Sequence, residues 1–209
     1  MTPTEQYRLA RVRAREIRNK YGLTTPRVMV SELRKILRAE GVTQVDYWDK
    51  FTGTKIKGAY FSDNVGATVM VNKKLITLNE PKAFTMGHEL KHHLMDEIHG
   101  VSLCTDDNEQ ITQERAADMF AAELLFPSAI FIEQMIARTI SKGECTAAHI
   151  VQMKHETKTT LSHLGLAIRA YRLGYALPGT LDRVSWNKLR DSMYPEYATF
   201  KRFTRVKAL

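Results

Sequence analysis

The feature that most constrains the fold of this 209-residue chain is the pattern H-E-x-x-H at residues 88–92. The surrounding residues predict a helix that begins with Asn79 as its capping residue. Side chains four residues apart project from one face of a helix, so His88 and His92 can hold one metal ion between them. Glu89 lies beside that face, where it can act on a water molecule without binding the metal itself.

A metal site that acts on a substrate needs a third protein ligand and one open position. A third histidine six residues after His92 is one known arrangement, but Ile98 occupies that position and His99 would face elsewhere. The alternative is a glutamate from a later helix. Glu114 follows after a segment long enough for the chain to turn back. Asp118 lies on the same helical face as Glu114, where it can accept a hydrogen bond from the far nitrogen of a ligand histidine.

Other polar residues near the motif have alternative interpretations. Asp96 competes with Glu114 as a ligand, although its short side chain on the histidine helix makes ligation less favourable. Glu123 lies on a different helical face from Glu114, which argues against it as a ligand. His93 is turned about 100° from His92, which favours a solvated or supporting role. Cys104 is interpreted as a small thiol, with metal ligation as a minor alternative.

Two segments together resemble a known family. They are F-T-x-x-H-E-L-x-H at residues 84–92 and E-x-x-A-D-x-F-A-A-x-L-L-x-P at residues 114–127, and the pair resembles the ImmA/IrrE metallopeptidases. In that family two histidines and the later glutamate hold the metal, and the glutamate inside the first motif is the catalytic base. The resemblance therefore implies the following roles: His88, His92 and Glu114 as ligands, Glu89 as base and Asp118 as support for a ligand histidine.

The chain departs from the family pattern at a few positions. Asp118 stands where the family often has Asn, Phe126 where it often has Met, and Met95-Asp96 where a Leu-His pair is common. None of these changes removes a ligand, although Asp118 can change the metal preference. The donor set suits Zn²⁺, and Mn²⁺ can occupy the same set.

The hydrophobic patterns predict an α+β fold. Amphipathic helices over residues 4–21 and from Pro26 to Gly41 precede three strands, Val42–Trp48, Lys55–Phe61 and Ala67–Val71. These strands are expected to form a small antiparallel sheet packed on a zincin-like helical core. From Asn79 to about residue 174 the chain is predicted to be helical.

Three regions follow from these patterns. Residues 1–144 are expected to form the metallopeptidase domain, and residues 145–175 a helical region that resembles a helix-turn-helix. Residues 176–209 form a tail that mixes basic and aromatic side chains. Such a tail can bind nucleic acid, or its aromatic residues can cover the core of the protein.

Composition restricts the class of protein. The two cysteines, Cys104 and Cys145, cannot form a disulfide framework, and no apolar leader or membrane span is evident, which predicts a cytoplasmic protein. The net charge of +8 indicates an acidic partner such as nucleic acid. Because this charge is spread along the chain and the region of the motifs is acidic, only a weak nucleic-acid contact is expected.

The resemblance implies a metal-dependent endopeptidase that cleaves a protein substrate, a helix-turn-helix repressor of a mobile element or phage. The alternative is a DNA-binding regulator or antitoxin-like binding protein with a structural or vestigial metal site. A peptide substrate is expected to add as a strand beside Ala67–Val71, whose connection leads into the catalytic helix. A donor such as Tyr171 or His155 is expected to assist at the substrate carbonyl.

Overall fold

A computed structural model of the chain describes residues 1–49, 55–96, 100–102 and 108–197. The chain forms two compact units. The first contains Met1–Ile130 and Thr159–Leu161, and the second contains Phe131–Lys158 and the residues from Ser162 onward. The predicted α+β class is confirmed, whereas the functional division at residues 144 and 175 stays a prediction.

Helices form most of the first unit. They are α1 (Pro3–Lys20), α2 (Val30–Ala39), α3 (Asn79–Met95) and α4 (Asn108–Leu125). Helix α5 (Ser128–Ala137) begins in this unit and continues into the second. Among the described residues no single helix is long and apolar enough to cross a membrane, and α4 and α5 meet that criterion only jointly.

Helix α1 packs along α4. The Thr2 side chain caps its first turn, and the buried residues Ala10, Ala14 and Ile17 recur at helical spacing on one face. Arg18 is only 5% exposed. Its guanidinium donates to the carbonyl oxygens of Leu124 (2.6 Å), Thr25 (2.8 Å) and Leu23. Burial lowers the pKa of Arg18 to about 10.

The sheet contains four strands, β1 (Val42–Trp48), β2 (Gly58–Asp63), β3 (Gly66–Asn72) and β4 (Gly100–Ser102), in the order β1-β3-β2-β4. Strands β2 and β3 form an antiparallel hairpin, and β4 pairs antiparallel with β2. Strand β1 pairs with β3 in parallel, so the predicted antiparallel sheet is wrong and the sheet is mixed. The sequence suggested direct pairing of consecutive strands. The connection over residues 49–57, however, is long enough to span roughly 30 Å. This is several times the spacing between neighbouring strands, so β2 need not pair directly with β1.

Strand β3 has a neighbour on each side, β1 and β2. Both of its edges are therefore already hydrogen-bonded, and the expectation that a peptide adds beside Ala67–Val71 is wrong. The edge strands of this sheet are β1 and β4. Strand β4 was not predicted, because the helix pattern was extended to Gly100 whereas α3 ends at Met95.

Two helix starts also differ from the predicted ones. Helix α2 begins at Val30 rather than near Pro26, because the Glu32 carboxylate accepts the Met29 backbone N–H at 2.7 Å and so caps the helix there. Helix α3 begins with Asn79 inside the helix, and Leu78 stands at the capping position without a side-chain hydrogen bond.

The second unit contains α6 (Ala147–Thr157), α7 (His163–Arg172) and α8 (Trp186–Met193). Thr146 and Ser162 cap the starts of α6 and α7, and Lys158 ends α6 in a left-handed conformation. The described part of the predicted tail packs by its aromatic rings: Tyr194 stacks on His155 with ring centroids 3.8 Å apart. Residues 198–209 of the tail lie outside the described residues.

Candidate metal centre

Helix α3 carries the first motif on the side that faces the interior. Glu89 is 4% exposed and His92 is 2% exposed. The i,i+4 spacing places His88 one turn before His92, and their Nε2 atoms lie 3.2 Å apart. The sequence prediction that both histidines share one helical face is therefore confirmed.

Helix α4 brings the second motif to the same place. Small residues allow the two helices to pack closely. A Cβ at Gly87 of α3 would lie 3.3 Å from the Cβ of Ala121 and 3.5 Å from the side chain of Leu124. This close approach puts the short carboxylate of Glu114 within reach of both histidines.

Donor atoms of three residues converge between these helices. Glu114 Oε2 lies 2.9 Å from His88 Nε2, and Glu114 Oε1 lies 3.3 Å from His92 Nε2. Ligand bonds of about 2.0–2.1 Å at tetrahedral angles place donor atoms about 3.3 Å from each other. One donor atom from each of His88, His92 and Glu114 lies within 4.8 Å of the other two. From His88 Nε2, the distances to Glu114 Oε2 (2.9 Å) and to His92 Nε2 (3.2 Å) are near the required value, so the three residues could hold one metal ion. No other such group of three occurs among the described residues.

The far nitrogen of each histidine meets a carboxylate. His88 Nδ1 lies 3.0 Å from Asp118 Oδ1, at the position the sequence predicts for Asp118. His92 Nδ1 lies 2.6 Å from Asp96 Oδ2. Carboxylates in this position fix the tautomer and orientation of a ligand histidine and leave Nε2 for the metal.

Asp96 is therefore not among the converging donors, and its contact with His92 was missed at the sequence level. The available signal was its i+4 spacing from His92. Burial alone would raise the pKa of Asp96, but hydrogen bonds from His92 and Lys91 hold it below the usual value. Asp96 is accordingly held as an anion behind His92.

Glu89 lies beside the sheet. A Cβ at Gly58 of β2 would stand 2.5 Å from Glu89 Oε1 and 2.4 Å from Thr85 Cγ2, so the strand backbone passes directly against the carboxylate. Burial raises the pKa of Glu89, while His88 and His92 oppose this shift and Glu114 adds to it. A carboxyl group with a raised pKa is suited to exchanging protons near neutral pH.

The remaining polar candidates have other contacts. His93 Nδ1 lies 3.0 Å from the Tyr60 hydroxyl and its Nε2 lies 2.9 Å from the Glu40 carbonyl oxygen, so its ring joins β2 to the end of α2. Glu123 is buried and accepts the N–H and hydroxyl of Ser128 at the start of α5, away from the three donors. His99 and Cys104 lie outside the described residues.

The two suggested carbonyl donors both have partners in the second unit. The Tyr171 hydroxyl donates to Asp182 at 3.0 Å and accepts the Leu181 N–H at 2.6 Å. His155 stacks on Tyr194 and lies 3.3 Å from the Tyr197 hydroxyl. The donor that assists at a substrate carbonyl stays unassigned.

Comparison with known families agrees with this geometry. Residues 49–149 match the model of the IrrE N-terminal-like domain, Peptidase_M78. This part of the chain resembles an IrrE-like metallopeptidase domain. The match spans both motifs, which confirms the resemblance to the ImmA/IrrE family. A search among curated proteins finds no match to the chain. The cluster that could hold a metal ion thus lies on α3 and α4, within the matched residues.

Proposed function

We propose that the chain is a metal-dependent endopeptidase that holds Zn²⁺ between His88, His92 and Glu114. The convergence of these three donors carries the proposal, because each histidine presents Nε2 to the site while a carboxylate engages its Nδ1. A metal ion held by three protein ligands would keep a position open for a reactant. Mn²⁺ fits the same donors and is the alternative ion.

A metal ion at this site supplies Lewis-acid chemistry, polarising a peptide carbonyl and making a water more acidic. Glu89 then takes a proton from the attacking water and returns it to the leaving amine. Its burial supports this role, since a raised pKa favours the exchange of protons in both directions. Asp118 and Asp96 keep His88 and His92 in the orientation that the site needs.

The proposed substrate is a transcriptional repressor of the helix-turn-helix type, encoded by a mobile element or phage. Resemblance to the ImmA/IrrE family supports this choice, since ImmA-like members cleave such repressors. The proposed location is the cytoplasm, where a repressor is found. The net charge of +8 would help to bring the enzyme to a DNA-bound substrate through weak contact with nucleic acid.

The direct experiment is incubation of the zinc-loaded chain with the repressor encoded beside its gene, with a Glu89→Gln variant in parallel. The variant keeps the three donors, so elemental analysis should find the same zinc content. Its cleavage rate should fall by about 10²–10⁴-fold, the usual contribution of a general base. Cleavage at the wild-type rate by Glu89→Gln would exclude Glu89 as the base.

The alternative, a DNA-binding regulator, makes a different prediction in the same assay. Its binding to DNA would weaken steeply with salt and would be unchanged in Glu89→Gln. Intact repressor together with such binding would favour the regulator over the peptidase.

A further inference from the structure

Lys91, inside the first motif, is buried in a way that its sequence position does not suggest. It is 3% exposed, although lysines are seldom fully buried unless they are paired. Its ammonium group donates to both carboxylate oxygens of Asp96, at 2.8 and 2.7 Å. The cost of burying this cation is therefore offset by one specific anion.

The same carboxylate supports a metal ligand. Asp96 Oδ2 accepts from Lys91 at 2.7 Å and lies 2.6 Å from His92 Nδ1. Lys91 thus holds the Asp96 carboxylate in place, and this carboxylate in turn orients the imidazole of His92. Without Lys91, the Asp96 carboxylate would lose two hydrogen bonds that fix its orientation, which would weaken its hold on His92.

The third proton of the ammonium group is directed at the other helix. Lys91 Nζ lies 3.2 Å from the backbone carbonyl oxygen of Gln113, the residue that precedes Glu114. An ammonium group has three protons, and Asp96 and Gln113 account for all of them. Lys91 therefore joins the support of His92 to the segment of α4 that carries Glu114.

We propose that Lys91 is a positioning residue of the metal site, which sets the orientation of His92 through Asp96 and the position of Glu114 through the Gln113 carbonyl. This inference rests on the proposed zinc site. Lys91 does not touch the reacting groups, and its effect is on the geometry and affinity of the bound ion.

Arg18 offers a matched control within the same unit. It is also a buried cation, at 5% exposure, but it donates to the carbonyl oxygens of Leu23, Thr25 and Leu124 and to neither a donor residue nor its support. Removing either cation should destabilise the fold. Only the removal of Lys91 should change how the protein binds metal.

The test compares Lys91→Met and Arg18→Met in the full chain. Zinc affinity is measured by competition with a chromogenic chelator, and site geometry by the visible spectrum of the Co²⁺-loaded protein. Lys91→Met should bind zinc about 10–100-fold more weakly, the usual effect of losing a supporting partner, and should alter the Co²⁺ spectrum. Arg18→Met should lower the free energy of unfolding and leave both metal readouts unchanged.

Lys91→Arg should recover part of the lost affinity, because it keeps the charge. Lys91 and Asp96 border a cleft of about 210 Å³, lined also by Met1 and Gln6, that leaves room for the longer side chain. Wild-type zinc affinity and Co²⁺ spectrum in folded Lys91→Met would overturn the inference. If Lys91→Met does not fold, Asp96→Asn carries the test: it should weaken zinc binding in the same range, and unchanged affinity would equally overturn the inference.

These outcomes separate the inference from the proposed function. A wild-type chain that binds zinc but leaves the repressor intact contradicts the proposed peptidase activity alone. Equal zinc affinity in wild type and Lys91→Met contradicts the role of Lys91 alone. A wild-type chain that binds neither zinc nor cobalt contradicts both.

Discussion

Two histidines of the first unit, His88 and His92, and two of the second, His155 and His163, lie in different chemical surroundings. In the first unit, His88 and His92 turn their Nδ1 atoms to Asp118 and Asp96 and their Nε2 atoms to Glu114. In the second unit, His155 and His163 stack on aromatic rings. The ring centroids lie 3.8 Å apart for His155 and Tyr194 and 5.7 Å apart for His163 and Trp186.

The electrostatic consequences also differ. Burial alone would lower the pKa of His92, but its hydrogen bonds with Asp96 and Glu114 raise it. For His163, burial and the neighbouring charges of Lys154 and Arg190 lower the pKa to about 4. The comparison teaches that burial does not decide the role of a histidine. Carboxylates around the ring favour the charged imidazole of His92, whereas burial near Lys154 and Arg190 favours the neutral imidazole of His163.

The largest expected effect comes from removing one histidine of each kind. His92→Ala removes one of three donors, so zinc affinity should fall by more than the roughly 100-fold that loss of a supporting group can cause. His155→Ala removes a ring that only packs in the second unit, so zinc affinity should stay at the wild-type value. Isothermal titration of both variants with zinc checks the comparison, and equal losses would abolish it.

Removing a carboxylate behind a histidine should have a smaller effect. Asp118→Ala deletes the hydrogen-bond partner of His88 Nδ1, so zinc should bind about 10–100-fold more weakly. Asp118→Asn keeps an acceptor and should lose less. Competition with a chelator measures both, and an unchanged affinity in Asp118→Ala would show that His88 needs no support.

These expectations reflect how much of the site was readable from sequence. His88, Glu89 and His92 could be placed because the spacing within a helix fixes relative directions locally. Glu114 and Asp118 could be placed because their spacing puts both side chains on one face of a second helix. Lys91 was missed, since a charged residue at that position looks like a solvated one until the covering face of α4 is known. Asp96 was considered only as a competing ligand, and its contact with His92 Nδ1 was not predicted.

The fold was predictable to a similar degree. The period and the capping residues of a helix can be recognised in the local sequence, whereas the sequence of a strand does not indicate which strand it pairs with. The pairing of β1 with β3 depends on where the connection over residues 49–57 leads, and hydrophobic alternation holds no information on that. The same limit explains why β3 was taken for a free edge.

Strand β2 passes directly against Glu89 at Gly58. Gly58→Ala would place a methyl group against Glu89 and Thr85, and overpacking of this kind costs about 1–3 kcal/mol. We expect a lower free energy of unfolding and slower cleavage. Thr85→Ser removes one colliding methyl group and should restore part of the stability in the double variant. Denaturant titration measures this, and full stability in Gly58→Ala would mean that the strand shifts freely.

The smallest effect is a pH dependence with opposite signs in the two units. His163 has a lowered pKa, so its contribution to stability is complete above about pH 6.5 and is lost as the pH falls through the folded pKa of about 4. The raised pKa of His92 in the metal-free protein gives a stability change of the opposite sign with pH. Its contribution is complete below about pH 6.5 and is lost as the pH rises through the folded value.

Tryptophan fluorescence can follow the acid limb. The chain has two tryptophans, so Trp48→Phe leaves Trp186, the stacking partner of His163, as the reporter. Stability against denaturant should decline between about pH 6.5 and 4, with His163→Gln removing much of this decline. If the stability of His163→Gln declined equally steeply with falling pH, the decline would be due to other titrating groups.

The three donors are divided between two helices, with two on α3 and one on α4. An ion bound to all three would be a cross-link that closes the chain between residues 92 and 114. For a covalent bridge, closing a loop of this length removes entropy from the unfolded chain worth about 3 kcal/mol. Metal loading would then raise the melting temperature as well as enable chemistry, and a chelator would loosen the junction of α3 and α4 first.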